Sequence, residues 1–292
     1  MIYMVRPVIK INSFDIHVNG HRLFVRQFYH GIDENGKMSA SRPVVVMLHE
    51  ALGCVSMLRD VPEKIARLTG CDVMAYDRLG HGKSDRLPDS HIHESYMFDE
   101  SWKSLPDVLD RCGIQQAVLW GHSDGGTMAL LFAARFPNRV TGVITEAAHV
   151  YVDPLTIKGI KATVNSWKET DLRKKLERHH GTNIDEIFKR WAKIWLAESF
   201  FSWNIESYLD DIKTPVLVLQ GEVDQYGLPG QMYSIAEKVT GESKMMLIPH
   251  CGHAPHLQAF GIVAQEIVDF VVKYCIYPSL IQSFNTTPRL LI

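Results

Sequence analysis

Ser123, Asp224 and His253 are the residues of this chain best placed to make a hydroxyl nucleophilic. A serine hydroxyl attacks poorly at neutral pH. It needs a base to take its proton and a third group to orient that base. Ser123 lies in Gly121-His122-Ser123-Asp124-Gly125-Gly126, Asp224 in Gly221-Glu222-Val223-Asp224, and His253 in Gly252-His253. The serine is preceded by an apolar run, Ala117 to Trp120, and followed by a helical pattern in Met128, Leu131, Phe132 and Arg135. Strand, sharp turn with small residues on both sides, then helix is the context of a nucleophile elbow. The predicted chemistry is acyl transfer. His253 takes the proton from Ser123, Asp224 holds the imidazole, and Ser123 forms an acyl-enzyme that water releases. Two backbone N–H donors must receive the oxyanion. Position assigns them to Asp124, after the nucleophile, and to Ala51, in the loop after the run Val44–Leu48.

Other residues compete for these roles. Asp224 could brace its own turn. Glu146, ending the strand after the elbow helix, is a rival acid, although the order serine, acid, histidine favours Asp224. Glu50, Asp124, Glu146 and His149 are candidate substrate-binding residues. His250 and His256 flank His253, but a metal site needs a coherent ligand set, and none is visible; no cofactor is expected. Cys251 reads as packing. His91, His93, His179 and His180 lie in polar stretches and read as surface residues.

The elements that must position these groups alternate. Two strand patterns, Ile9–Val18 and His21–Tyr29, flank the hairpin signal Asn19-Gly20. Apolar runs at 44–48, 72–76 and 117–120 read as buried strands, and 140–145, 215–220 and 244–248 as further strands. Helical patterns fall at about 56–68, with Pro62 interrupting, and at 98–112, 231–239 and 257–274. This alternation predicts an α/β fold, a mostly parallel central sheet with helices on both faces. Chemistry in such sheets gathers at the carboxyl ends of the strands, where His49, Asp77, Ser123 and Glu146 fall. Between Tyr151 and Asp211 the strands vanish, two amphipathic patterns appear (161–180 and 185–200), and four of the six tryptophans occur. Residues 1–150 and 212–275 thus read as the core, 151–211 as an inserted helical cap, and 276–292 as a C-terminal tail. Residues 31–42 read as a polar surface loop.

The composition is that of an ordinary globular chain of 292 residues, 46% hydrophobic and 22% charged. A net charge of −2 argues against nucleic acid as a partner and leaves a small-molecule substrate. No window approaches a membrane span, and Met1–Phe14 lacks the apolar core of a secretory signal. Five scattered cysteines without C-x-x-C read as free thiols of a reducing cytosol. A cytoplasmic enzyme is the expectation.

Taken together, the motifs resemble the α/β-hydrolase superfamily over about residues 20–275. They include His49-Glu50-Ala51-Leu52-Gly53 and Asp77-Arg78-Leu79-Gly80-His81-Gly82-Lys83-Ser84 beside the three segments above. Glu50 stands where that family usually has glycine. Ser123-Asp124-Gly125-Gly126, the stretch Ala148–Val152 and the Trp-rich segment are similar to the branch containing valacyclovir hydrolase. The resemblance implies that Asp124 binds the α-amino group of an amino-acid ester. The same carboxylate also suits a helix N-terminus. Three functions follow: hydrolysis of a small carboxylic ester, carbon–carbon cleavage of a diketo acid or lactone opening with the same three residues, or a non-catalytic hydrolase-like receptor.

Overall fold

A computed structural model describes residues 8–30, 43–88 and 93–276 of the chain. The hairpin is formed by β1 (Ile9–Val18) and β2 (His21–His30), and its turn uses Asn19 at φ 51° and Gly20 at φ 81°. Positive φ at both centres matches the twist of the flanking strands. Then come β3 (Val44–Leu48), a 3₁₀ turn at Val55–Leu58, and α1 (Val61–Thr69). Pro62 does not interrupt this helix. It lies in the first turn, where a missing N–H costs nothing. β4 (Val73–Tyr76) follows, then α2 (Tyr96–Asp99), a widened π turn at Glu100–Ser104 and α3 (Leu105–Arg111). The wider turn falls just before Pro106, which has no N–H to give an ordinary helical turn.

The elbow is made by β5 (Ala117–His122) and α4 (Asp124–Arg135), followed by β6 (Val140–Glu146). A helical excursion comes next: α5 (Pro154–Glu169), α6 (Leu172–His180) and α7 (Ile184–Trp195). The single pattern expected over 161–180 is two helices. Thr170 is extended, and its hydroxyl accepts the Leu172 N–H at 3.2 Å, which starts α6 afresh. The chain returns through β7 (Val216–Gly221), α8 (Gly230–Lys238), β8 (Ser243–Ile248), α9 (Pro255–Gln258) and α10 (Phe260–Phe270).

The eight strands form one sheet in the order β1-β2-β4-β3-β5-β6-β7-β8. Pairing is antiparallel for β1–β2 and β2–β4 and parallel for the rest. Alternate residues feed two cores. Val46, Leu48 and Leu119 pack with Met128 and Phe132 on one face; Val45, Met47 and Val118 pack with Ile65, Ile267 and Phe270 on the other. Burial on both faces explains why the strands read as continuous apolar runs. Each such side chain contributes about 1.5–3 kcal/mol. Cys251 belongs to the second core. No helix among the described residues is long and apolar enough to cross a membrane. The 31–42 loop, His91 and the tail from 277 lie outside the described residues.

Candidate active site

Ser123 follows the last residue of β5 and has φ 53° and ψ −119°. A non-glycine residue there stores strain of about 1–3 kcal/mol. The surroundings impose it. A Cβ on Gly121 would sit 2.0 Å from the Gly125 carbonyl oxygen, and one on Gly125 would sit 2.1 Å from that of Leu48. Only glycine lets strand and helix approach this closely. The Ser123 N–H donates to Glu146 O at 2.8 Å, while Gly126 N–H donates to Ser123 O at 2.8 Å.

The turns after β7 and β8 bring the other two residues to this point. His253 Nε2 lies 3.0 Å from Ser123 Oγ, and its Nδ1 lies 2.8 and 3.0 Å from the two Asp224 oxygens. Asp224 also accepts the Tyr226 N–H at 2.8 Å, so it braces its turn and faces the imidazole at once. Burial pushes the Asp224 carboxyl up, but His253 more than offsets this and holds it below the usual range. The Tyr226 ring packs 4.6 Å from that of His253.

The remaining candidates divide. Glu146 is fully buried and turned to His256, whose N–H and Nδ1 both meet its carboxylate, the latter at 2.8 Å. Glu146 is therefore paired with His256 rather than His253, and it does not line the cavity that opens on Ser123. Burial pushes the Glu146 carboxyl up, but the His256 pairing offsets it and lowers it overall. His149 walls the cavity, with Nε2 2.9 Å from Tyr226 O. Burial, then the nearby His253, lowers its pKa. Asp124 is buried at the start of α4 and accepts the Tyr96 hydroxyl, which in turn accepts Trp195 Nε1–H at 3.1 Å. Burial raises its pKa against the pull of Arg78.

Glu50 is part of the cavity wall beside Ala51. Arg78 fixes its loop by donating to the carbonyls of His49 and Glu50, the latter at 2.9 Å. The Glu50 side chain folds over Gly53, where a Cβ would lie 2.2 Å from Oε2.

His180 corrects an expectation. It is buried rather than a surface residue: Nδ1 accepts the Gly82 N–H and Nε2 meets Leu52 O, each at 3.0 Å. It docks α6 onto the loops after β3 and β4, whereas His93 is exposed. Among the described residues no group of three or more His, Cys, Asp or Glu could hold a metal ion.

A cavity of about 230 Å³ opens on Ser123 and His253, walled also by Asp124, His149, Trp191 and Trp195. Beside it a second cavity of about 150 Å³ shares Ala51, Asp124 and Trp191, and contains Arg78, Glu100 and Arg190. Trp191 and Trp195 are four apart on α7, a spacing visible in the sequence; the roles of Tyr96, Tyr226 and Arg78 had no local signal.

A family model described as the alpha/beta hydrolase fold matches residues 43–190. The human protein named Serine hydrolase BPHL is 29% identical over 195 residues, 64% of this chain and 64% of its own length, just under two thirds. The mouse sn-1-specific diacylglycerol lipase ABHD11 is 23% identical over 262 residues, covering 80% of this chain and 81% of the relative. Among solved structures, the 2-hydroxy-6-oxo-6-phenylhexa-2,4-dienoate hydrolase of Rhodococcus sp. strain RHA1 superposes with a TM-score of 0.74. It has 14% identity and covers 91% of this chain and 100% of its own.

Proposed function

The chain belongs to the α/β-hydrolase fold family and is an enzyme of that family, and on this premise we propose that it is a serine hydrolase of small carboxylic esters. The observation that carries the reading is the unbroken line from Asp224 through His253 to Ser123, at 2.8 and 3.0 Å. As Ser123 Oγ attacks the ester carbonyl, its proton passes to His253 Nε2. Asp224 accepts the Nδ1–H throughout and stabilises the imidazolium. The oxyanion rests against the N–H groups of Asp124 and Ala51. Its collapse expels the alcohol, which takes the proton from His253. Water, deprotonated by His253, then releases the acid from Ser123. No cofactor enters these steps. The helices of residues 151–211 act as a cap, and Trp191 and Trp195 give the acyl or alcohol group an apolar wall.

The walls around Ser123 include the Asp124 carboxyl group and, among the described residues, no lysine or arginine, while the Glu50 carboxylate there is paired with His122. This favours a neutral or amine-bearing ester, with an ammonium toward Asp124, over a diacid. Carbon–carbon hydrolysis of a diketo acid is the second reading, because the adjoining cavity contains Arg78 and Arg190. A fluorophosphonate probe is expected to label Ser123. Ser123→Ala should abolish labelling and lower p-nitrophenyl ester turnover by a factor on the order of 10⁴ or more. Retained turnover in that variant defeats the reading. A panel of amino-acid esters, simple esters, lactones and a diketo acid ranks the substrate classes.

A further inference from the structure

Two carboxylate–histidine pairs stand behind His253. His122, the last residue of β5, places Nε2 2.6 Å from the main-chain oxygen of His253. Its Nδ1 lies 3.4 Å from Glu50 Oε2, an ion-pair separation. On the far side, the Glu146 carboxylate binds His256. The His122 ring is 5.1 Å from that of His253 and 4.9 Å from that of His256. The loop from His253 to His256 is thus held at both ends by buried groups from other strands.

The His122 contacts constrain its protons. A neutral imidazole has one N–H. With that hydrogen on Nε2, the Nδ1 lone pair faces a carboxylate. With it on Nδ1, the Nε2 lone pair faces the His253 carbonyl. With Glu50 ionised, only the doubly protonated ring suits both neighbours, through a hydrogen bond at Nε2 and an ion-pair contact, without a hydrogen bond, at Nδ1. We propose that Glu50 and His122 are a positioning pair, in which Glu50 keeps His122 doubly protonated and the cationic ring, by donating to the His253 carbonyl, fixes the catalytic base against Ser123. The inference rests on the reading of Ser123 and His253 as catalytic. The titratable groups facing His122 are Glu50 from the loop after β3, Glu146 from the end of β6, and His253 and His256 from the loop after β8. Burial opposes the charge on His122, but Glu50 and then Glu146 override it and raise its pKa to about 9. Burial likewise opposes the charge on Glu50, and His122 brings that pKa down to about 2.

Two variants of the full-length enzyme test the pair. His122→Phe fills the space with no donor. His122→Gln offers an amide N–H that does not titrate. Ester kinetics would be followed from neutral to about pH 10, with thermal melts to score folding. His122→Phe should lower kcat about 10–100-fold, the value of one hydrogen bond from a charged donor, with little change in KM. His122→Gln should recover most of that loss. The wild-type fall in kcat centred near pH 9 should vanish in it. A folded His122→Phe with wild-type kcat, or an alkaline fall unchanged in His122→Gln, overturns the proposal. If His122→Phe does not fold, the pH profile of His122→Gln decides alone. Turnover retained by Ser123→Ala instead removes the catalytic reading, and this inference with it.

Discussion

At the scale of single residues, Asp224 shows how one carboxylate does two jobs. One oxygen accepts both the Tyr226 N–H and His253 Nδ1, and the second oxygen also faces Nδ1. Asp224→Asn should keep the turn but present an amide to the imidazole and favour the wrong tautomer. A loss in kcat on the order of 10⁴, with KM nearly unchanged, is the expected outcome in steady-state assays. The placement of Ser123, Asp224 and His253 was legible in the sequence, because each sits in a short motif whose glycines serve the turn. Glu50 and His122 were not legible as a pair. Neither has a local neighbour that reveals the contact, and only the parallel pairing of β3 with β5 brings them together. Glu146 stood as a rival acid for the same reason: a carboxylate at a strand end is placed for chemistry, and only the fold shows it paired with His256.

At the scale of elements, the central strands were read nearly to the residue, since burial on both faces leaves an uninterrupted apolar run. The helices were read less well, because a hydroxyl or a proline can restart or widen a turn without breaking the apolar period. Asp153 ties the start of the helical excursion to the segment that opens α8. Asp153 caps α5 by accepting the Thr156 N–H at 2.9 Å, and also accepts from Leu228 N at 3.0 Å and Gln231 Nε2 at 2.9 Å. Asp153→Ala should therefore cost about 2–3 kcal/mol, more than a cap alone. Asp153→Ser, which restores only the cap, should recover about 1 kcal/mol of this. Urea midpoints of the three proteins check both values.

At the scale of the whole molecule, alternating strands and helices announced the fold class, but the strand order was not readable, because no local pattern states which strands are neighbours. The fold also joins polar groups far apart in sequence. Glu146 and His256 are 110 residues apart and buried together. The Glu146 carboxyl is held below its usual range, so its contribution is complete above the unfolded-state pKa and is lost as pH falls through the folded value. Glu146→Gln should cost about 3 kcal/mol at neutral pH. The gap between wild type and variant should close as pH drops below the ordinary glutamate range, as followed by urea melts. A gap that stays constant in acid would assign the loss to packing. The hydroxyl of residue 123 precedes by 130 positions the imidazole that activates it on the proposed mechanism. On the ribosome, the elbow and its flanking strands are complete long before the base has been synthesised. On that mechanism any fragment ending short of residue 253 should carry an unreactive serine.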